Sequence, residues 1–384
     1  MKGYKNMGEV KSLNVSSDSS NKIDNTNVQS TATAIQDAVG QVAEAMDYLS
    51  SITDSEGNKV ESMALDSLAS DKKYTHDDDG NPTGYFFGDS NLYYDMINDT
   101  YKRYNEENCN FENISIYDQE NIDSNQYGAR QDNFIENFDE LIQDEYIKNE
   151  LEKWFPKDSF DSEGDASDFY ERYLDKLANV GCGYAAATNI IFKEFEGREK
   201  EFEETFGFPM YTVNDEGQID FNYEYMMLTI FDYTWAREYS GEDIINDKVK
   251  KEFFEVSPSV AYDLELLEDF LKEYGIDCTS KTDWHNRFAY WDSDESIENE
   301  IKGLNENNEY VVYGGEGYDL YDMDGNRIVE KGGAHYLLIT GYTDDNKPIV
   351  TSWGRQYILD IKSDDLHLFE EDKYRYTTIK FNKE

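Results

Sequence analysis

The chain has 384 residues, more than one compact core usually holds, so two domains and a tail are the expected organisation. Its 83 Asp and Glu against 35 Lys and Arg leave a formal charge of -48, which repels phosphate backbones and anionic head groups and argues against nucleic acid and membrane surfaces as partners. With 38% hydrophobic residues, 31 Tyr and 21 Phe the bulk should fold, presenting either a simply well-solvated surface or one complementary to a basic partner.

The amino terminus lacks the apolar run of a secretory signal, and no stretch approaches the roughly 18 apolar residues of a membrane span. A cytoplasmic location is expected unless a Sec-independent route exports the protein. Cys109, Cys182 and Cys278 lie far apart with no CxxC, which argues against a disulfide framework and a zinc site; a Cys109–Cys278 bridge is the one pairing left open. No cofactor or metal is expected.

Residues 1–28 are polar and read as a disordered tail. Ile35, Val39, Val42, Met46 and Leu49 form the stripe of an amphipathic helix. Two Asp/Asn/Gly turns, Asp54–Asn58 and Asp77–Pro82, glance at calcium loops but lack the Glu at the twelfth position, so Asx turns are expected. The clearest helix before Pro156 runs from Asn133 to Trp154, with Phe134, Phe138, Leu141, Ile142, Tyr146 and Leu151 on one face. Residues 29–156 are therefore expected to be a mostly helical acidic module serving as a pro-segment, a targeting device or a recruitment domain. A boundary near Pro156 would leave 157–384 able to fold alone.

The second part opens with a helix from Asp168 to Ala178 and another beginning at or just after Cys182. Helical stretches follow over Tyr223–Tyr239 and Tyr262–Tyr274. The period then becomes strand-like over Glu309–Tyr313, His335–Tyr342, Pro348–Trp353, Gln356–Ile361 and Tyr374–Phe381, with turns at Asp324–Asn326 and Asp344–Asn346. Helices first and antiparallel sheet second define an α+β domain.

A cysteine attacks carbonyls as a thiolate, favoured at a helix N-terminus beside an imidazolium. Gly181-Cys182-Gly183, heading an Ala-rich helix, offers that position. Of four histidines, His76 sits in an acidic turn, His285 follows Trp284 and His367 lies in a polar segment. His335 instead begins the apolar run His335–Tyr342 after Lys331-Gly332-Gly333, where an imidazole is both oriented and reachable.

These residues resemble the papain-like cysteine peptidases, within them the bacterial branch that includes double-glycine-leader peptidase domains. The likeness rests on the Gly-Cys-Gly helix start, the Gly333-Ala334-His335 strand start, the hairpin Thr343–Lys347 and the run Val350-Thr351-Ser352-Trp353-Gly354. Cys precedes His by 153 positions, against about 130–150 in papain-type enzymes. The resemblance covers about residues 165–384. It implies a papain-like C-terminal fold and a Cys182 thiolate with His335 as base, acting on a polypeptide through a thioester.

Where the family carries an Asn or Asp after the His hairpin, this chain has Thr351 and Ser352, so a hydroxyl, or else Asp360, is expected to orient the imidazole. The family's Gln upstream of the Cys has no match in Glu171–Gly181, leaving Asn179 as the nearest oxyanion candidate beside the Cys182 N–H. The modular front end resembles delivered bacterial effectors or toxins, which implies an immunity-type partner. An inactive papain-like fold used for binding is the alternative.

Overall fold

Short aromatic segments separated by Asp, Asn and Gly turns build the first part of the structure. The computed structural model describes residues 72–77, 79–88, 90–106, 108–115, 128–214, 217–237, 242–246, 253–254, 264, 266–286, 294–305, 310–315, 317–361 and 373–382. The tail, the stripe from Ile35 to Leu49 and the turn at Asp54–Asn58 lie outside them. The chain divides into two compact units, Met1–Asp71 and Lys72–Glu384, and the fold below is that of the second.

Lys72–His76 (β1), Pro82–Phe87 (β2), Leu92–Asp95 (β3), Thr100–Asn105 (β4) and Asn110–Asn113 (β5) form an antiparallel meander. The turn between β1 and β2 is held by the Asp77 carboxylate, which accepts the N–H of Asp79 at 3.0 Å and of Asn81 at 2.8 Å, while Gly80 takes φ +85°. Hydrogen bonds from Asn81, its side chain first, lower the Asp77 pKa, so this carboxylate is engaged in closing a hairpin. Between Lys72 and Asn113 the meander stands in a region expected to be mostly helical, whereas helices do occur between Asn133 and Trp154. Its aromatic positions have period two, with Tyr85 and Phe87 on β2 and Leu92 and Tyr94 on β3 packed towards the core.

The Asp144 carboxylate caps the helix Glu145–Trp154 (α1) by accepting the N–H groups of Tyr146 and Ile147 at 2.9 and 3.0 Å. Its other oxygen accepts the Tyr225 hydroxyl at 2.6 Å. Helices Glu163–Val180 (α2), Cys182–Glu194 (α3) and Tyr223–Phe231 (α4) follow. Fully buried Phe155 ends α1, accepts the Tyr170 hydroxyl on its carbonyl at 2.7 Å, and packs its ring 5.0 Å from Phe169 and 4.8 Å from Tyr173 of α2. One hydrophobic core thus runs from Phe87 to Ile379 and crosses Pro156 without a gap, so the expected boundary there coincides with no break in packing.

The strands Cys278–Asn286 (β8), Tyr310–Gly315 (β9), Asp319–Tyr321 (β10), Arg327–Val329 (β11), His335–Tyr342 (β12), Pro348–Ser352 (β13), Arg355–Asp360 (β14) and Lys373–Phe381 (β15) make one antiparallel sheet; a separate hairpin, Tyr211–Val213 (β6) with Ile219–Phe221 (β7), precedes them. The sheet order is β11-β10-β14-β13-β12-β9-β15-β8. Alternate residues of β12 feed different cores: Tyr336 and Leu338 join the core that includes α3, whereas Leu337 and Ile339 join a second core with Ile301 of the helix Asp294–Asn305 (α5). The result is an α+β fold in which helices cover a mainly antiparallel sheet. Among the described residues, no helix is long and apolar enough to cross a membrane.

Candidate functional site

The junction of α2 and α3 is fixed by close packing. Ser162 caps α2 by accepting the Asp165 N–H at 3.2 Å, and Phe169, Tyr173, Leu174 and Leu177 bury its inner face. At Gly181 a Cβ would stand 2.4 Å from the Leu177 carbonyl oxygen and 3.0 Å from Cβ of Gln131, so only glycine lets one helix hand over to the next here. Cys182 is the first residue of α3 and is 6% exposed. That helix packs on β12 and β13.

His335 is the first residue of β12 and is paired in register with Gly315 of β9. Its Nε2 lies 2.6 Å from Oγ of Ser352, the last residue of β13. Its ring stacks on Trp353 with centroids 4.5 Å apart and planes 11° apart. Trp353 and Gly354 both take positive φ, +48° and +66°, in the two-residue turn from β13 to β14. A tryptophan in left-handed backbone is unfavourable, and the stack on His335 is what this conformation provides. Burial lowers the His335 pKa from 6.5 to about 4, so its imidazole is uncharged at neutral pH.

Two sets of contacts connect the surroundings of His335 with those of Cys182. In the first, Gly332 donates its N–H to the Tyr318 carbonyl at 2.7 Å, and a Cβ on Gly332 would meet the Tyr318 ring at 2.4 Å, so Tyr318 anchors the lead-in to His335. The Tyr318 pKa is raised first by burial and then by the charges of Tyr313 and Cys182. In the second, Gln131 packs on Gly181, while its neighbours Arg130 and Asp132 are close enough to Tyr357 to influence its ionisation; Tyr357 in turn packs on Trp353, centroids 6.1 Å apart.

Of the two hydroxyls expected to orient the imidazole, Ser352 does so. Thr351 pairs with Leu338 and Gln356, and the period of the strand turns its side chain to the opposite face from Ser352. Asp360 lies at the other end of β14, where its carboxylate is 3.6 Å from Lys347 Nζ. Asn179, the expected oxyanion donor, is an exposed residue of the last turn of α2 and donates one Nδ2–H to the Asp175 carbonyl at 2.8 Å.

The amide of Gln131, which packs on Gly181, donates from Nε2 to the Ala178 carbonyl at 3.0 Å. Two N–H groups on that nitrogen allow one to hold the helix end and the other to serve a reacting carbonyl. Gln131 lies far outside the interval Glu171–Gly181 where such a residue was expected, and nothing local to the cysteine signals it. All three cysteines are free thiols; burial pushes Cys278 up to about 11, and Cys109 is exposed. Among the described residues, no His, Cys, Asp and Glu cluster suited to a metal ion occurs.

The His335 environment sets a pH dependence of stability. The folded state resists protonation down to about pH 4, whereas the unfolded chain accepts the proton near 6.5, so stability is full above 6.5 and falls as pH drops towards 4. The loss amounts to roughly 3 kcal/mol and levels off below pH 4 for this group. Urea midpoints of the parent and His335→Gln between pH 4 and 8 test this: the variant should lack that part of the slope. An identical slope would place its cause elsewhere.

No known protein-family model matches the chain, and no curated protein matches it.

Proposed function

We propose that the protein is a papain-like cysteine hydrolase acting on amide bonds of polypeptides, with Cys182 as nucleophile and His335 as base. The observation that carries this reading is the His335–Ser352 hydrogen bond under Trp353, at the start of the strand on which the Cys182 helix packs. If Nε2–H donates to Ser352 Oγ, Nδ1 is left with its lone pair, the tautomer a base needs. Gln131 and the Cys182 N–H supply the oxyanion donors.

The uncharged imidazole changes how activation works. A standing thiolate–imidazolium pair is expected from the resemblance, whereas a His335 pKa of about 4 supports proton transfer concerted with attack. The Sγ–C bond forms as the thiol proton passes to His335 and the carbonyl π pair moves onto oxygen. Its return expels the amine, which takes the proton from His335, and water then hydrolyses the thioester with His335 as base.

Burial of both groups favours a second reading, a binding protein that keeps the fold without turnover. Alkylation by iodoacetamide near pH 7.5 separates the two. The hydrolase reading expects Cys182 to react faster than Cys278 and to slow about tenfold in His335→Ala, with Cys278 unaffected. If His335→Ala leaves the Cys182 rate unchanged, His335 is not its base.

The charge of -48 supports a basic substrate segment or a basic immunity-type partner.

A further inference from the structure

We propose that Asn189 is a positioning residue for the oxyanion donor, tying the segment that carries Gln131 to the nucleophile's own helix; this rests on the hydrolase reading above. Asn189 lies on α3 about two turns beyond Cys182, is 2% exposed, and stands among the apolar Ala186, Ala187, Ile190 and Ile191. An amide so placed is costly unless it is hydrogen-bonded. Its Oδ1 accepts the main-chain N–H of Ala129 at 2.8 Å. The approach requires glycine at the preceding position: Gly128 has φ +87°, and a Cβ there would lie 2.7 Å from Oδ1 of Asn189.

Two residues further on, Gln131 bonds the Ala178 carbonyl and packs on Gly181. The span from Ala129 to Gln131 is therefore pinned at both ends to the α2–α3 hairpin, once on each helix. The Arg130 side chain takes no part, since it pairs with Asp132 and Glu136 at 2.9 and 2.7 Å. A donor arriving from a distant segment holds an oxyanion only if its backbone is registered against the nucleophile to within a fraction of an ångström. Asn189 makes that registration, because it sits on the helix whose first residue is Cys182.

Two reagents separate this role from a structural one. Iodoacetamide alkylates Sγ by displacing iodide and needs no oxyanion hole, whereas p-nitrophenyl acetate must pass through a tetrahedral oxyanion before p-nitrophenolate leaves. In a full-length Cys109→Ser background, which removes the exposed thiol, Asn189→Ala should slow p-nitrophenolate release about 10–100-fold while iodoacetamide alkylation of Cys182 stays within about twofold. Gln131→Ala should lose a similar amount, and the double variant no more than Gln131→Ala alone, because Asn189 acts through Gln131.

Gly128→Ala disturbs the same contact from the other side and carries the test if Asn189→Ala fails to fold, as judged by its melting transition. Release at the parent rate, equal loss with both reagents, or full additivity in the double variant overturns the positioning role. A parent protein that is alkylated at Cys182 but never acylated overturns it too, with the nucleophile left standing. One in which Cys182 reacts with neither reagent removes the hydrolase reading and this inference together.

Discussion

Cys182→Ala should lower peptide hydrolysis at least about 10³-fold while leaving the melting temperature nearly unchanged. Sγ is the only atom of the proposed site able to form the thioester, and its loss removes covalent catalysis outright. The structural cost is small, since alanine keeps the helix-start backbone and forfeits one buried sulfur atom. His335→Ala should cause a comparable loss. Ser352→Ala should cost less, about 10–100-fold, because it removes the group that orients the imidazole and leaves the base present. Ser352→Asn, which returns a carboxamide to that place, should retain more activity than Ser352→Ala.

The acid limb of kcat/KM in the parent should fall through about pH 4 rather than near 6.5, as burial holds the imidazole neutral down to that value. Hydrolysis of a quenched-fluorescent peptide library, followed from pH 3.5 to 8, measures all of these. Full activity in Cys182→Ala would remove the proposed nucleophile.

A fragment beginning at Lys157 should fail to fold. Phe87, Leu92, Ile114, Phe134, Ile147, Leu151 and Phe155 all precede it and are nearly fully buried in the shared core. Burying each contributes roughly 1.5–3 kcal/mol, so losing all seven removes an amount comparable with the whole net stability of a domain, about 5–15 kcal/mol. The hydrogen bonds from Tyr170 to the Phe155 carbonyl and from Tyr225 to Asp144 go with them. A chain beginning at Lys72 keeps these contacts and should fold. Circular dichroism and cooperative urea unfolding of the two fragments decide the matter, and a cooperatively folded 157–384 fragment would refute the shared core.

The helix-to-sheet order of the second half was legible because its signals are local. Small residues after Gly181 announce α3, and the short apolar runs within His335–Tyr342 and Gln356–Ile361 announce β12 and β14. The five-strand meander is not legible in the sequence, since its strands are only four to six residues long and rich in Tyr, Lys and Asn, so composition hides the period-two pattern. The Asp77 turn was legible, as Asp, Gly and Asn carry their hydrogen-bonding geometry with them.

Chain chemistry by itself determined two things: the thiol at a helix start and the imidazole at a strand start. Both follow from backbone periods and turn residues acting over a few positions. Tertiary structure decided the rest. Choosing Ser352 over Thr351 depends on which face of β13 meets the start of β12, and neutrality of His335 depends on how completely the folded chain withdraws it from water. The hydrogen bonds of Gln131 and Asn189 form only when residues 128–131 close onto α2 and α3, a contact no local pattern encodes. Short-range sterics set elements, whereas burial and long-range closure set protonation states and partners.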